Sequence, residues 1–302
     1  MPALSQTRAY LALLLVVSLW GSYPAMTKLA LPDLPPFFLA LFRCALGGAF
    51  LVILLLRRGS GALRSLTLED LGAFAVLGFC GIVISTALTY LAISLTTASN
   101  AVILQASTPV MVAVGARLYL GERLRGIQWL GVACSAAGVL LVVTRGQWAT
   151  LRLGNLHAGD FVILFSLTGW SAYTIYGKQV LTVHSPALAT TLSYVLGTAM
   201  LLPLSLLTAH LFPAPRFGSI TAWGVILYQA ILGALAHIWW YEGVRAIGPS
   251  RAAIFMNFQP VVGVLLAAVL LGERIGAAQV VGGVGVLLGV ALTTRPKQRA
   301  ED

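Results

Sequence analysis

Few residues of this sequence have the means to do chemistry, and those that do are scattered. Its nine acids are Asp33, Glu69, Asp70, Glu122, Asp160, Glu242, Glu273, Glu301 and Asp302, and only Glu242 falls inside an apolar run, near its end. Cys44, Cys80 and Cys134 sit unclustered in apolar runs without metal-ligand spacing, as small core residues do. No nucleophile–base pair, metal cluster or phosphate loop suggests a reaction, and nothing implies a cofactor or a metal. The glycines of VGGVGVLLG at 281–289 mimic a dinucleotide fingerprint, but they follow no strand and lie in an apolar run, so they predict helix packing instead. What remains is a chemistry of recognition, carried by one cation, one histidine, paired aromatics and amides beside prolines.

Arg43 follows seven apolar or aromatic residues, about two helical turns into an apolar run. It reads either as a cavity cation that attracts a carboxylate or phosphate bidentately, or as a snorkelling or structurally paired side chain. His237, in HIWWYEG, is the best candidate for a coupling proton, since an unperturbed imidazole titrates near neutrality. Its plainer reading is a hydrogen-bonded packing residue. Glu242 stands three residues before Arg245, on one helical face, which predicts a local ion pair. Trp20 with Tyr23, and Trp170 with Tyr173, put two aromatics on one helical face, and both tryptophans fall near mid-depth of their runs, where they predict cavity lining. Tyr90 and Tyr241 join them as cavity candidates. Gln105 and Thr108 share a face, whereas Asn257 and Gln259 point about 200° apart, so one of that pair packs against a neighbour. Pro24, Pro109 and Pro260 break the helical hydrogen-bond ladder beside these polar groups, and freed backbone in a bilayer is tolerated only against protein or a watery cavity.

The elements that position these residues belong in a membrane. Of 302 residues, 59% are hydrophobic and 9% charged, against about 25% charged in soluble domains. The net charge of +10 would suit nucleic acid in a soluble protein, but here it fits cytoplasmic loops and predicts no nucleic-acid partner. Ten windows are long and apolar enough to span, at 9–28, 36–56, 71–94, 98–120, 126–144, 158–179, 187–209, 221–245, 251–271 and 276–294. The first is too long for a signal-peptide core and should remain as a span. With the N-terminus inside, 13 Lys and Arg fall on the cytoplasmic side and 5 on the other, so both termini are expected in the cytoplasm.

The chain carries one stretch twice. Residues 99–141 recur 151 positions later, ungapped, with 15 of 43 identities that include Pro109/Pro260, Gly121/Gly272, Glu122/Glu273, Arg123/Arg274, Gln128/Gln279 and Gly131/Gly282. Five spans per half is an odd number, so the second half should enter the membrane inverted. Inverted repeats are a recurrent design of secondary transporters, with the substrate at the midplane between them. The expected units are residues 1–147 and 148–302. The Gly-Glu-Arg turns would then be structural hinges at opposite faces, and the glycine-rich fifth and tenth spans would pack together or form a homodimer contact.

These features resemble the drug/metabolite transporter superfamily, and within it the ten-helix EamA-type transporters. The resemblance rests on Trp20-x(7)-Lys28 echoed by Trp170-x(7)-Lys178, on Arg43, on Asn155-x(4)-Asp160 and on the Pro-x(12)-Glu-Arg of spans four and nine. It covers nearly the whole chain and implies an exporter or exchanger of small metabolites, amino acids among them. The expectation is an all-α inner-membrane protein of ten transmembrane helices in two inverted five-helix repeats. A midplane cavity lined by spans 1, 3, 4, 6, 8 and 9 would work by alternating access, with a small-molecule substrate, the lipid bilayer and a coupling proton as its partners. The first span has no carboxylate, which argues against cationic-drug antiport. The alternatives are a sugar or nucleotide-sugar exchanger, which would want more cavity cations than Arg43, Lys28 and Lys178, and, from other classes, a lipid flippase or a membrane-embedded enzyme.

Overall fold

The structure is a computed structural model that describes residues 6–57, 66–120, 125–146, 157–247 and 255–293. Its regular elements are all helical among the described residues. They are α1 (Gln6–Ala30), α2 (Pro36–Arg57), α3 (Leu68–Gly78), a π-helical segment (Phe79–Ala87), α4 (Leu88–Leu95), α5 (Ala98–Gln105), α6 (Thr108–Leu120), α7 (Gly126–Thr144), α8 (Ala158–Val180), α9 (Pro186–Leu207), α10 (Ile220–Ile247), a 3₁₀ turn (Met256–Phe258), α11 (Gln259–Leu271) and α12 (Ala277–Thr293). Seven apolar stretches among the described residues are long enough to cross a bilayer, with α3, the π segment and α4 forming one of them and α5 with α6 another. Leucines such as Leu11, Leu118, Leu202 and Leu265 lie exposed on the outer helix faces, where a soluble protein would place polar residues.

Local sequence sets the helix starts. Thr67 and Asp70 form a reciprocal capping box on α3, Ser185 caps α9 with Pro186 in its first turn, and the Ser219 hydroxyl accepts the Ala222 N–H at the start of α10. Gln128 and Gln279, at equivalent places in the repeated stretch, make equivalent bonds. Each side-chain carbonyl accepts the backbone N–H three residues earlier, Arg125 at 2.9 Å and Gly276 at 2.7 Å.

The prolines behave differently from one another. Helix α1 runs through Pro24 without interruption. Pro109 instead falls in the first turn of α6, after α5 has ended at Gln105. It has no N–H for the Gln105 carbonyl, and the Thr108 hydroxyl donates to that carbonyl at 2.5 Å. Pro260 likewise opens α11 after the 3₁₀ turn, and Gly272, at φ +65°, closes that helix.

Helices α7 and α12 make the closest backbone approach. A Cβ at Gly138 would lie 2.6 Å from the Gly282 carbonyl oxygen, and one at Gly131 would lie 2.6 Å from that of Gly289. Since 131 meets 289 and 138 meets 282, the two helices run antiparallel. In lipid, where apolar side chains gain little by leaving the solvent, such close contact is what holds helices together. The glycine faces of the fifth and tenth sequence windows are therefore turned toward each other within one chain.

Polar contacts at the helix ends join distant parts of the sequence. Asp33, after α1, accepts the Ser219 hydroxyl at 2.6 Å and lies 3.6 Å from Arg216. His184, 151 residues later, contacts the Asp70 carboxylate at 2.7 Å in the first turn of α3. Glu273 accepts three bonds at the start of α5, from the Ala98 N–H at 2.8 Å, the Ser99 N–H at 3.0 Å and the Ser99 hydroxyl at 2.6 Å. Expected as a hinge, this Glu273 is a cap across the repeat. Glu122 and Arg123 of the first Gly-Glu-Arg lie outside the described residues.

Candidate functional site

One cavity in the helical assembly gathers most of the polar and aromatic candidates. From α1 it receives Trp20, Tyr23, Pro24 and Thr27, and from α2 the single cation Arg43. The π segment supplies Ser85 and Thr86, and α4 supplies Thr89, Tyr90 and Ile93. Gln105 and Thr108 face it from either side of the α5–α6 break, Leu167 and Trp170 from α8, His237 from α10, and Met256 and Gln259 from around the second break.

The breaks are what bring the amides together. Because α5 ends beside Pro109 and α11 begins beside Pro260, Gln105 and Gln259 reach each other, and Gln259 Nε2 donates to Gln105 Oε1 at 3.0 Å. Gly21 in α1 allows this approach: a Cβ there would lie 2.7 Å from the Gln259 carbonyl oxygen. The π segment has its own compensation, since the Thr86 hydroxyl donates to the Gly81 carbonyl at 2.8 Å.

The aromatic wall is one cluster. Trp20 meets Trp170 edge-on at 5.4 Å, and His237 lies 5.3 Å from the first and 5.7 Å from the second. His237 Nδ1 is 2.8 Å from the Gly233 carbonyl, so this nitrogen carries the proton and Nε2 holds the lone pair when the ring is neutral. The same Nδ1 lies 3.2 Å from the Tyr194 hydroxyl, which in turn accepts from Arg43 Nη2 at 3.3 Å. Arg43 is therefore linked to His237 through one phenol.

Several candidates fall elsewhere. Tyr173 and Tyr241 stack on each other at 5.6 Å, both buried and neither lining the cavity, because Gly81 and Gly177 leave room for their rings between helices. Glu242 is half-buried on α10 and is not among the lining residues. The ion pair expected for it involves Arg245, whose side chain lies outside the described residues, as does that of Asn257. Lys28 is half-buried near the end of α1 and Lys178 is exposed, so neither adds a charge to the cavity.

Sequence reasoning missed Gln229. It is 1% exposed in mid-α10, accepts a hydrogen bond from the Tyr90 hydroxyl, and donates to Thr27 Oγ1 at 3.1 Å and to the Tyr23 carbonyl at 3.4 Å. A lone amide within VILYQAILGAL was the available signal. A second polar chain was also unforeseen: Gln279 donates to Asn100 at 2.7 Å, Asn100 to Asp160 at 3.4 Å, and Thr96 to Asp160 at 2.5 Å. It gives the fully buried Asp160 hydrogen-bond donors. That leaves Asp160 at the start of α8, away from the cavity lining.

Comparison with known proteins agrees with this architecture. A solved crystal structure of a protein at 20% identity superposes with a TM-score of 0.62 over 96% of this chain and 98% of its own, which shows a shared fold. An uncharacterized transporter of Bacillus subtilis, YyaM, is 30% identical over 252 residues, covering 83% of this chain and 82% of the relative. YetK of the same organism, another uncharacterized transporter, is 28% identical, covering 93% and 87%. The uncharacterized inner membrane transporter YedA of Escherichia coli is 24% identical, covering 95% and 90%. The EamA-like transporter family matches twice, at residues 7–144 and 157–295, and this chain is a membrane protein of that family.

Proposed function

We propose that the chain is a secondary transporter of ten spans, arranged as two inverted five-helix units at residues 1–147 and 148–302. Both termini face the cytoplasm, and an inner membrane is its site. It exports or exchanges a small polar or amphipathic metabolite, an amino acid or related compound, by alternating access. The observation that carries this reading is the cavity itself, lined from both halves at the level of the two proline breaks.

The inverted arrangement is supported by reciprocal contacts. Gly131 and Gly282 are equivalent in the repeat, as are Gly138 and Gly289, and each pairs with the other's equivalent. The end contacts follow the same rule. Asp33 and His184, 151 apart, each tie the loop after one half's first span to the start of a helix in the other half. Alternating access by rocking of the halves would open these ties at one face while keeping them at the other. His237, in the cavity and joined to Arg43 through Tyr194, is the candidate carrier of a coupling proton.

Proteoliposomes holding the purified chain should show saturable counterflow of one or more amino acids. Absence of flux for every member of a broad panel would sink the amino-acid reading, and flux confined to sugars or nucleotide sugars would replace it with the exchanger.

A further inference from the structure

Arg43 is 3% exposed and stands as the sole charged side chain in the described cavity lining. Among the described residues no carboxylate lies within ion-pair distance of it. Its contacts are neutral. Nη2 donates to the Tyr194 hydroxyl at 3.3 Å, Nη1 faces the Cys44 sulfur at 3.8 Å, and the rings of Tyr23 and Tyr194 lie 5.6 and 5.9 Å from the guanidinium carbon. Nε is buried with no partner at all.

A structural arginine in a membrane is expected to be matched by an acid or by a full set of acceptors, because an uncompensated buried cation is costly. The tyrosine faces offset part of that cost through their negative π surfaces. They leave the guanidinium short of acceptors, on a residue that lines a cavity with no negative charge among its described lining. An oxyanion fits that deficit, since a planar guanidinium matches its oxygens geometrically. A solute whose only charge is an amine does not fit, because the lining offers no carboxylate to receive it. In the same lining, Trp20 and Trp170 present aromatic surface suited to an apolar body.

We infer that the cavity contains an oxyanion subsite centred on Arg43, and that the solute presents a carboxylate, or a phosphate of the same chemistry, to the guanidinium and an apolar body to Trp20 and Trp170. The inference rests on the transport reading for the solute's passage, but binding can be measured without flux.

The test is titration of the purified full chain in detergent, followed by tryptophan fluorescence, with phenylacetate, phenyl phosphate, phenethylamine and phenethyl alcohol. At least one anion should bind about ten-fold or more tighter than the amine and the alcohol, as a hydrogen-bonded charge pair implies. Comparing phenylacetate with phenyl phosphate then tells which oxyanion is meant. Arg43→Gln should abolish the preference and Arg43→Lys should retain part of it. Equal binding of amine and acid, or no binding of either anion, overturns the subsite, and this comparison on the unaltered chain decides even if Arg43→Gln fails to fold. Anion binding without amino-acid flux would remove the amino-acid reading and keep the subsite. Amino-acid flux with no preference for anions would do the reverse.

Discussion

Arg43 and Tyr194 stand 151 residues apart and meet at 3.3 Å. One sits on α2 and the other on α9, one residue out of the register that sets Pro36 against Pro186 and Gly47 against Gly197. In the proposed inverted arrangement, equivalent or neighbouring positions touch only close to the axis relating the halves. The Cys134 sulfur reaches the Gly285 carbonyl at 3.5 Å, also 151 apart, and Trp20 meets Trp170 at an offset of 150. The line through these pairs runs from the cavity to the α7–α12 contact. Near its cavity end α2 contributes a cation, Arg43, and α9 a phenol, Tyr194, so the two helices supply different polar groups there.

The Arg43–Tyr194 bond should be measurable as a coupling. Tyr194→Phe keeps the ring against Arg43 and His237 but removes the hydroxyl that both share. A bond to a charged group contributes about 1.5–3 kcal/mol. A double-mutant cycle of Tyr194→Phe with Arg43→Gln, read by thermal unfolding in detergent, should give a coupling of about 0.5–3 kcal/mol. Strictly additive losses would mean that the hydroxyl does not serve the guanidinium.

Helix approach at α7 and α12 predicts a sharp contrast between glycines. Gly138→Leu forces a side chain into the Gly282 carbonyl and the Val286 backbone nitrogen, both 2.6 Å from its Cβ, and there is no flexible neighbour to yield. It should abolish a monodisperse peak in detergent chromatography. Gly224→Ala, with nothing within 4 Å, should leave that peak unchanged. Equal tolerance at both sites would contradict the tight pairing.

Glu273 should stabilise the start of α5 more than its loop position suggests. Glu273→Ala strips the acceptor from two backbone N–H groups and a hydroxyl, a loss of about 1–3 kcal/mol for each buried donor left unpaired. Glu273→Gln keeps an acceptor but not the charge at a helix N-terminus, so its melting temperature should fall by less. An unshifted melting temperature for the alanine variant would rule out this role.

The all-helical, membrane-spanning character was legible because membrane helices announce themselves by length and hydropathy. Most of the cavity's aromatics and amides were legible too, since a polar side chain in an apolar run needs a reason. Tyr173 and Tyr241 misled because helical phase tells which residues share a face but not which neighbour that face meets. Their neighbours prove to be each other. Gln229 was passed over because no motif or repeat partner drew attention to it. The π segment left no periodicity to read. Its extra residue per turn appears only once α8 and α9 pack against it, with Gly81 lying on Tyr173 and Gly197 on Ile82.

Inversion of the halves has a direct chemical test. In a chain whose Cys44, Cys80 and Cys134 have been replaced, single cysteines at Arg123 and Arg274 should react with an impermeant maleimide from opposite sides of sealed vesicles. Labelling from the same side would refute the inverted topology, whatever the substrate.

In the proposed transport cycle, His237 is the residue on which proton coupling would turn. Its Nδ1 proton is committed to the Gly233 carbonyl, so a second proton can arrive only at Nε2. Arg43 is joined to the same ring through Tyr194, which makes the charge of one matter to the other. A solute oxyanion at Arg43 and a proton at Nε2 would bring opposite charges to one linked cluster, so anion and proton would enter the cavity together. His237→Gln keeps polar contact with the Gly233 carbonyl but cannot carry a proton. It should flatten the pH dependence of counterflow while preserving anion binding in the fluorescence titration. A pH profile that survives the substitution unchanged removes His237 from coupling and leaves it a packing residue against Trp20 and Trp170.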